Sequence, residues 1–227
     1  YDDINTVPKQ HIYAGLNNLF GEVTWFYPGS GAASNNRSVT YNYMDSTPER
    51  PVWTTSSLAR STWSDSHIFG KPHATEYDSS ATSDTTVGNT DGVTIYYEHE
   101  TGVNQIKAGA SSAISASIES GDFDISATQG GGADLRGDGE HMMKIRRVLP
   151  DFLQQTGDAR VTLNLKNYPT DSQASSSLGP FTTTTTTTKI DTRARARAIS
   201  LKVDNTSTGQ HWKLGTFRLD IQADGRR

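Results

Sequence analysis

Wherever apolar and polar side chains alternate clearly in this chain, the period is two, the signature of strands; helical periodicity appears nowhere. Residues 1–18 are polar, with apolar points at Ile4, Val7, Ile12 and Leu16. Residues 19–28, carrying Val23, Trp25, Phe26 and Tyr27, read as an aromatic strand stopped by Pro28. Residues 38–44 form a second predicted strand, 51–54 a third and 59–65 a fourth short element. The pattern then starts again. Ile68-Phe69-Gly70 echoes Leu19-Phe20-Gly21, 73–78 takes the place of the aromatic strand, and Val93, Ile95 and Tyr97 answer Val39, Tyr41 and Tyr43. The offset of about fifty residues is the size of one four-stranded propeller blade. A blade cannot bury both faces alone, so two blades imply neighbours, either before Tyr1 or on other subunits.

From Thr101 the texture changes. Residues 102–117 are small and polar and suit an extended connector; 118–125 read as a strand with a glycine break, 142–149 as a strand ended by Pro150, and 161–166 as a clean alternating strand after a polar link. After a Ser-rich loop at 168–179 comes the run Thr182 to Thr188, which β-branching favours as a strand. Two further runs, ending at Val203 and Ile221, flank a turn at 204–209. About six strands from Ile118 onward are enough for a β-sandwich. The expected architecture is all-β: propeller-type blades over 1–115, then a β-sandwich-like unit over 116–227.

The basic positions are the strongest candidates for function. Arg193, Arg195 and Arg197 stand at spacing two, so one extended strand puts them on one face, in phase with Ile199, Leu201 and Val203. That face passes from guanidinium to aliphatic along its length unless a bulge intervenes. Arg146 and Arg147 are adjacent, so only one of them can share a face with the comb. Arginine offers its bidentate fork to carboxylates as readily as to phosphates. Two readings follow: a polyanion-facing comb, or salt bridges to acidic protein surface. The expectation is that the comb is chiefly an inter-subunit or intra-sheet contact.

Composition supports a thin core and many turns. The 227 residues are rich in Thr, Ser, Gly and Tyr and contain no cysteine, which excludes disulfides and thiolate metal sites. No apolar run approaches a membrane span and no signal peptide is visible. The net charge of −4 hides a division: 189–227 holds nine basic and four acidic side chains, +5, which leaves −9 for the remainder. The chain opens on Tyr1 and enters patterned sequence at once, as a processed product or the C-terminal part of a longer protein would.

Other motifs carry less. Glu98-His99-Glu100 holds ligand types, but neighbours in a strand point to opposite faces. No nucleophile-elbow motif gathers Ser, His and Asp. Asp122 and Asp124 suit turn and edge charges better than the carboxylate pair of a glycosidase. Gly130-Gly131-Gly132 is not followed by a helix and so lacks what a phosphate loop needs. Arg136-Gly137-Asp138, in a Gly/Asp-rich loop, is a chance match to a cell-attachment triplet, and Arg226-Arg227 reads as a solvated tail. Asn36-Arg37-Ser38 and Asn205-Thr206-Ser207 match glycan acceptors without a secretory signal to give them meaning. No metal, cofactor or catalytic group is expected.

Several stretches share a further likeness. They are 15–28 with Tyr41-Asn42-Tyr43, Val52-Trp53-Thr54 leading to Leu58-Ala59-Arg60 and Trp63-Ser64-Asp65, and Ile68-Phe69-Gly70-Lys71-Pro72. Ile118-Glu119-Ser120-Gly121, 146–152, Gly179-Pro180-Phe181, 212–221 and the ending Asp224-Gly225-Arg226-Arg227 complete the set. Together they resemble the C-terminal part of the tail nozzle (tail tube or hub) proteins of short-tailed bacteriophages. The resemblance implies a virion protein without catalysis, with propeller-like domains assembled as a ring, usually a hexamer, around the channel through which the genome leaves. Its partners would be copies of itself, other tail or adaptor proteins, and DNA in transient passage. The threonine run and the alanine-interleaved arginines depart from the family's more varied strands, so no role is carried onto them. The alternative is a β-sandwich carbohydrate-binding or host-adhesion module of a phage tail, stacking Tyr and Trp on sugars.

Overall fold

The computed structural model describes residues 3–65, 69–79, 92–107, 109–125, 141–168 and 176–225. The two glycine and Arg-Gly-Asp motifs of 130–138 and the terminal Arg226-Arg227 lie outside these residues. Among them there is no α-helix, only a 3-10 turn at Lys9–His11, and every sheet is antiparallel. The chain is all-β, as its period-two patterning predicts. It divides into two compact units, Tyr1–Gly102 and Val103–Arg227, N-terminal to the 115/116 boundary drawn from sequence texture. The sheets are small and none closes on itself.

The first unit holds two up-and-down meanders. One contains β1 (Tyr13–Asn17), β2 (Glu22–Tyr27), β3 (Arg37–Thr47) and β4 (Arg50–Ser56), paired in that order. The other contains β5 (Thr62–Ser64), β6 (His73–Asp78) and β7 (Val93–Glu98). The two share a plan: Gly21 and Gly70, forty-nine residues apart, both take a left-handed φ (65° and 75°) shortly before the second strand of their sheet. The core of this unit is made of rings. Phe26 is fully buried, stacks on Tyr13 at 5.2 Å and meets Trp63 at 5.5 Å. Gly15 permits this: a Cβ there would stand 2.5 Å from the Trp63 indole, whose Nε1 donates to the Leu16 carbonyl at 2.7 Å.

The second unit begins with the hairpin β8 (Asn104–Lys107) and β9 (Ala110–Ala113). A four-stranded sheet follows, in the order β10 (Ala116–Glu119), β16 (Ala198–Asn205), β13 (Ala159–Lys166) and β14 (Ser176–Thr183). A three-stranded sheet sets β15 (Ile190–Ala196) and β18 (Arg218–Ala223) on either side of β11 (Met143–Leu149). β12 (Phe152–Thr156) pairs with β17 (His211–Leu214). Between the sheets lies an aliphatic core of Met143, Ile145, Val148, Val161, Leu163, Ile190, Ile199, Leu201 and Val203, all buried. Alternation produces it directly: Ala159, Val161 and Leu163 of β13 point inward at every second position.

Three expectations change. The threonine run is not a strand. β14 ends at Thr183, whose buried hydroxyl donates to the Ala159 carbonyl at 2.9 Å, and the chain then turns, with Thr187 N–H on the Thr184 carbonyl and Thr184 N–H on the Thr187 hydroxyl. Hydroxyls that bond their own backbone make a turn cheaper than further pairing. The alternating run 193–203 is two strands, β15 and β16, in different sheets, and 212–221 likewise divides between β17 and β18. The connector of 102–117 is extended but paired, as β8, β9 and the start of β10.

Candidate functional site

The predicted basic residues meet on the outer face of the β15-β11-β18 sheet. In β15, Ile190, Thr192, Ala194 and Ala196 are buried, so Asp191, Arg193 and Arg195 look outward. The alanines between the arginines are inward residues, set across from Met143 and Ile145 of β11, where a small side chain completes the packing beside a large one. In β18, Leu219 and Ile221 pack on the core, leaving Arg218, Asp220 and Gln222 outside.

β11 corrects the expectation for its arginine pair. Ile145 and Val148 are both buried with two residues between them instead of one, and the register against both neighbours shifts there. This bulge gives Arg146 and Arg147 the same outward side, which strict alternation forbids. Arg197 corrects the comb. It stands at the corner between β15 and β16, its N–H on the Lys166 carbonyl at 3.1 Å. No single face passes from guanidinium to aliphatic: Arg193 and Arg195 look out of the sheet, whereas Ile199, Leu201 and Val203, in the same sequence phase, are in the core.

The outer face therefore collects Lys144, Arg146, Arg147, Arg193, Arg195 and Arg218 beside Asp191 and Asp220. Part of the charge is matched locally. Arg147 Nε meets Asp191 Oδ1 at 2.9 Å, Lys189 meets the other Asp191 oxygen at 3.1 Å, and Arg195 donates to Asp224. Hydrogen bonds from Arg147 and Lys189 hold the Asp191 carboxyl below its ordinary range, and Arg195 does the same to Asp224. These pairs are solvent-exposed, so they orient side chains more than they stabilise the fold. Among the described residues, Lys144, Arg146, Arg193 and Arg218 make no side-chain hydrogen bond or ion pair.

The first unit carries the opposite charge: its 102 residues hold five basic and twelve acidic side chains, against sixteen and thirteen in the second. At the β1-β2 turn end of its first sheet, acceptors gather in a row. Asn17 stands across from Glu22, and Glu22 from Asn42. Asn17 Nδ2 donates to Glu100 at 3.1 Å and Asn42 Nδ2 to Asp45 at 3.0 Å. Burial, then the charges of Glu100 and Asp45, raise the Glu22 carboxyl above its ordinary range. Asn17 is 4% exposed and its Oδ1 finds no partner among the described residues. Glu100 is held at a left-handed φ of 57°, uncommon for a residue with a side chain.

Sequence reading missed the cluster around Arg60, which has no local motif. Arg60, 4% exposed, donates from Nε to His99 Nε2 at 3.0 Å and from Nη1 to the Ala59 carbonyl and to Glu76 at 3.3 Å, and lies 4.0 Å over the Tyr97 ring. Because arginine only donates, His99 Nε2 accepts and the ring proton is on Nδ1. Burial, then the charges of Arg60 and His73, push the His99 imidazole down to about 4, and burial pushes the Tyr13 phenol up to about 12 against the lowering charge of Arg60. Glu98, His99 and Glu100 thus go to three different partners, Lys71, Arg60 and Asn17. Arg60 spends its Nε and Nη1 donors within the protein and lays its guanidinium over Tyr97, which makes this cluster a structural element. The exposed basic face is the better candidate for recognition. No protein-family model and no curated protein matches the chain.

Proposed function

We propose that this chain is a ring-forming structural component of a short-tailed phage tail: propeller-type blades and a β-sandwich-like unit surrounding a conduit for DNA. The observation that carries the reading is the outward face of the β1-β2-β3-β4 meander. Thr24, Phe26 and Ser38 point inward, so Leu16, Val23, Trp25, Val39, Tyr41 and Trp53 share the other side by register. Leu16 stays 47% exposed and Trp53 53% exposed. A four-stranded up-and-down sheet with one face packed and an aromatic second face uncovered is the form a blade takes before its neighbour is added. The repeat of the meander plan at an offset of forty-nine residues supports the same reading.

The mechanism is passive. The ring holds the passage open and its surface charge sets how DNA moves through, with no catalytic step. Tight phosphate binding would accumulate with every turn of duplex and stall transit, so a lumen of neutral or acidic character suits the role. Mass photometry and negative-stain imaging of the purified chain test it: discrete rings, of six subunits by the resemblance, are expected, and a monomer at tens of micromolar concentration would sink the reading. A second reading is favoured by the ring cluster itself, since Trp53 lies 4.7 Å from Tyr41 and 6.0 Å from Trp25, a platform suited to stacking on sugars. Trp53→Ala separates the two. It weakens assembly if the face packs on a neighbour, and abolishes glycan-array binding if the face takes carbohydrate.

A further inference from the structure

Two surfaces of this chain have complementary deficits. The outer face of β15-β11-β18 displays four cations, Lys144, Arg146, Arg193 and Arg218, without a hydrogen bond or ion pair among the described residues. The rim of the first unit displays Glu22, Asp45 and Glu100, none in an ion pair among the described residues, beside the unpartnered and buried Asn17 Oδ1. One surface carries more cations than its interspersed acids match. The other consists of acceptors without cations.

We propose that the basic outer face of one copy docks head-to-tail on the carboxylate rim of a second copy, guanidinium groups of Arg146 and Arg193 pairing with Asp45 and Glu100, the exposed carboxylates beside Asn17. The proposal rests on the ring-forming reading above and names the contact that would build the ring. A contact between two different surfaces is heterologous and closes a ring when its rotation divides the circle. The chemistry of the face favours carboxylates over phosphates. Arg147 and Arg195 already use their forks on Asp191 and Asp224, and acids interspersed among the cations would repel a phosphate backbone. The rim is not a cation site in waiting, since no group of three acidic or imidazole side chains among the described residues has metal-binding geometry. A planar fork, which needs acceptors spread over several ångströms, fits it better.

Charge reversal on the full chain tests this by sedimentation velocity. Arg146→Glu with Arg193→Glu, or separately Asp45→Lys with Glu100→Lys, is expected to weaken self-association by about thirty-fold or more, as like charges face each other. All four positions lie on the surface or at its edge, and unchanged circular dichroism and melting will identify the effect as one on assembly. The two variants mixed, or combined in one chain, are expected to recover association. Raised salt should loosen the wild-type contact. Variants that assemble normally, or a charge swap that fails to recover, would overturn this interface while leaving the ring reading standing on another surface. A wild-type monomer would remove both. Loss of duplex-DNA binding in the arginine variant with assembly intact would assign the face to DNA instead.

Discussion

The two units of this chain solve the same problem, a small sheet with one face to cover, by different chemistry. The second unit centres its interior on aliphatic side chains, with rings such as Phe181 and Trp212 only partly buried at its margin. The first has Phe26, Trp63 and Tyr13 stacked beside a buried guanidinium that is held by Glu76, His99 and the face of Tyr97. Aliphatic packing is non-directional and tolerates exchange of one methyl-bearing residue for another. A buried ion cluster is directional, and removing one member leaves the others charged and unsolvated. The second unit is therefore sensitive to volume and the first to charge.

The largest test is Arg60→Ala. It removes the buried guanidinium that Glu76, His99 and the Tyr97 ring share and is expected to cost about 3–5 kcal/mol, read as lost hydrogen-exchange protection in 1–102 with 103–227 unchanged. Replacing Arg60 by Met together with Glu76 by Leu should return most of that loss. Equal damage to both units would erase the contrast. Leu163→Ala makes the complementary break, about 3 kcal/mol confined to 103–227, because a cavity opens in a core with no polar partner to rearrange.

Acid provides the third test. The folded-state His99 value of about 4 lies below the ordinary 6.5, so the unfolded chain binds the extra proton between these values. The stability gained from keeping this ring neutral is present above pH 6.5 and lost as pH falls toward 4. We expect about 2 kcal/mol from this ring after solvent screening, and His99→Gln should flatten the dependence in the first unit only. An unchanged slope would mean that burial and the Arg60 charge do not hold the imidazole neutral. Smallest is Arg195→Ala. Its pair with Asp224 is exposed, so thermal denaturation should be almost unmoved, and a clear loss would show that the outer face stabilises the fold.

These differences also explain what could be read from the sequence. Val161, Leu163 and Leu165 declare an inward face because one side of the sheet is apolar and the other polar, and the same rule found β2, β3, β11 and β16. It failed where alternation continues through a corner. Arg195, Arg197 and Ile199 keep one phase while the chain leaves one sheet for another, and nothing in the residue types marks the bend. It failed again at Arg146-Arg147, where the bulge breaks a parity that looked secure. β1, β8, β9 and β12 escaped because their partners, more than their own weak patterns, hold them extended. Arg60, Glu76 and His99 are brought together only by tertiary packing, so no spacing in the chain points to them. The acceptor row was hidden for the same reason, being assembled across β1, β2 and β3 with Glu100 arriving from beyond β7.

The threonine turn has a consequence for how this chain can vary. Thr184 to Thr187 close a loop on their own hydroxyls, between a strand that ends at Thr183 and one that begins at Ile190. One threonine more or fewer would change only the length of that loop and leave the pairing on both sides in step. A single-residue insertion between Arg193 and Arg195 would instead reverse the remainder of β15, turning guanidinium toward the aliphatic core and alanine toward water. Two neighbouring low-complexity stretches thus have opposite tolerance to a change of length.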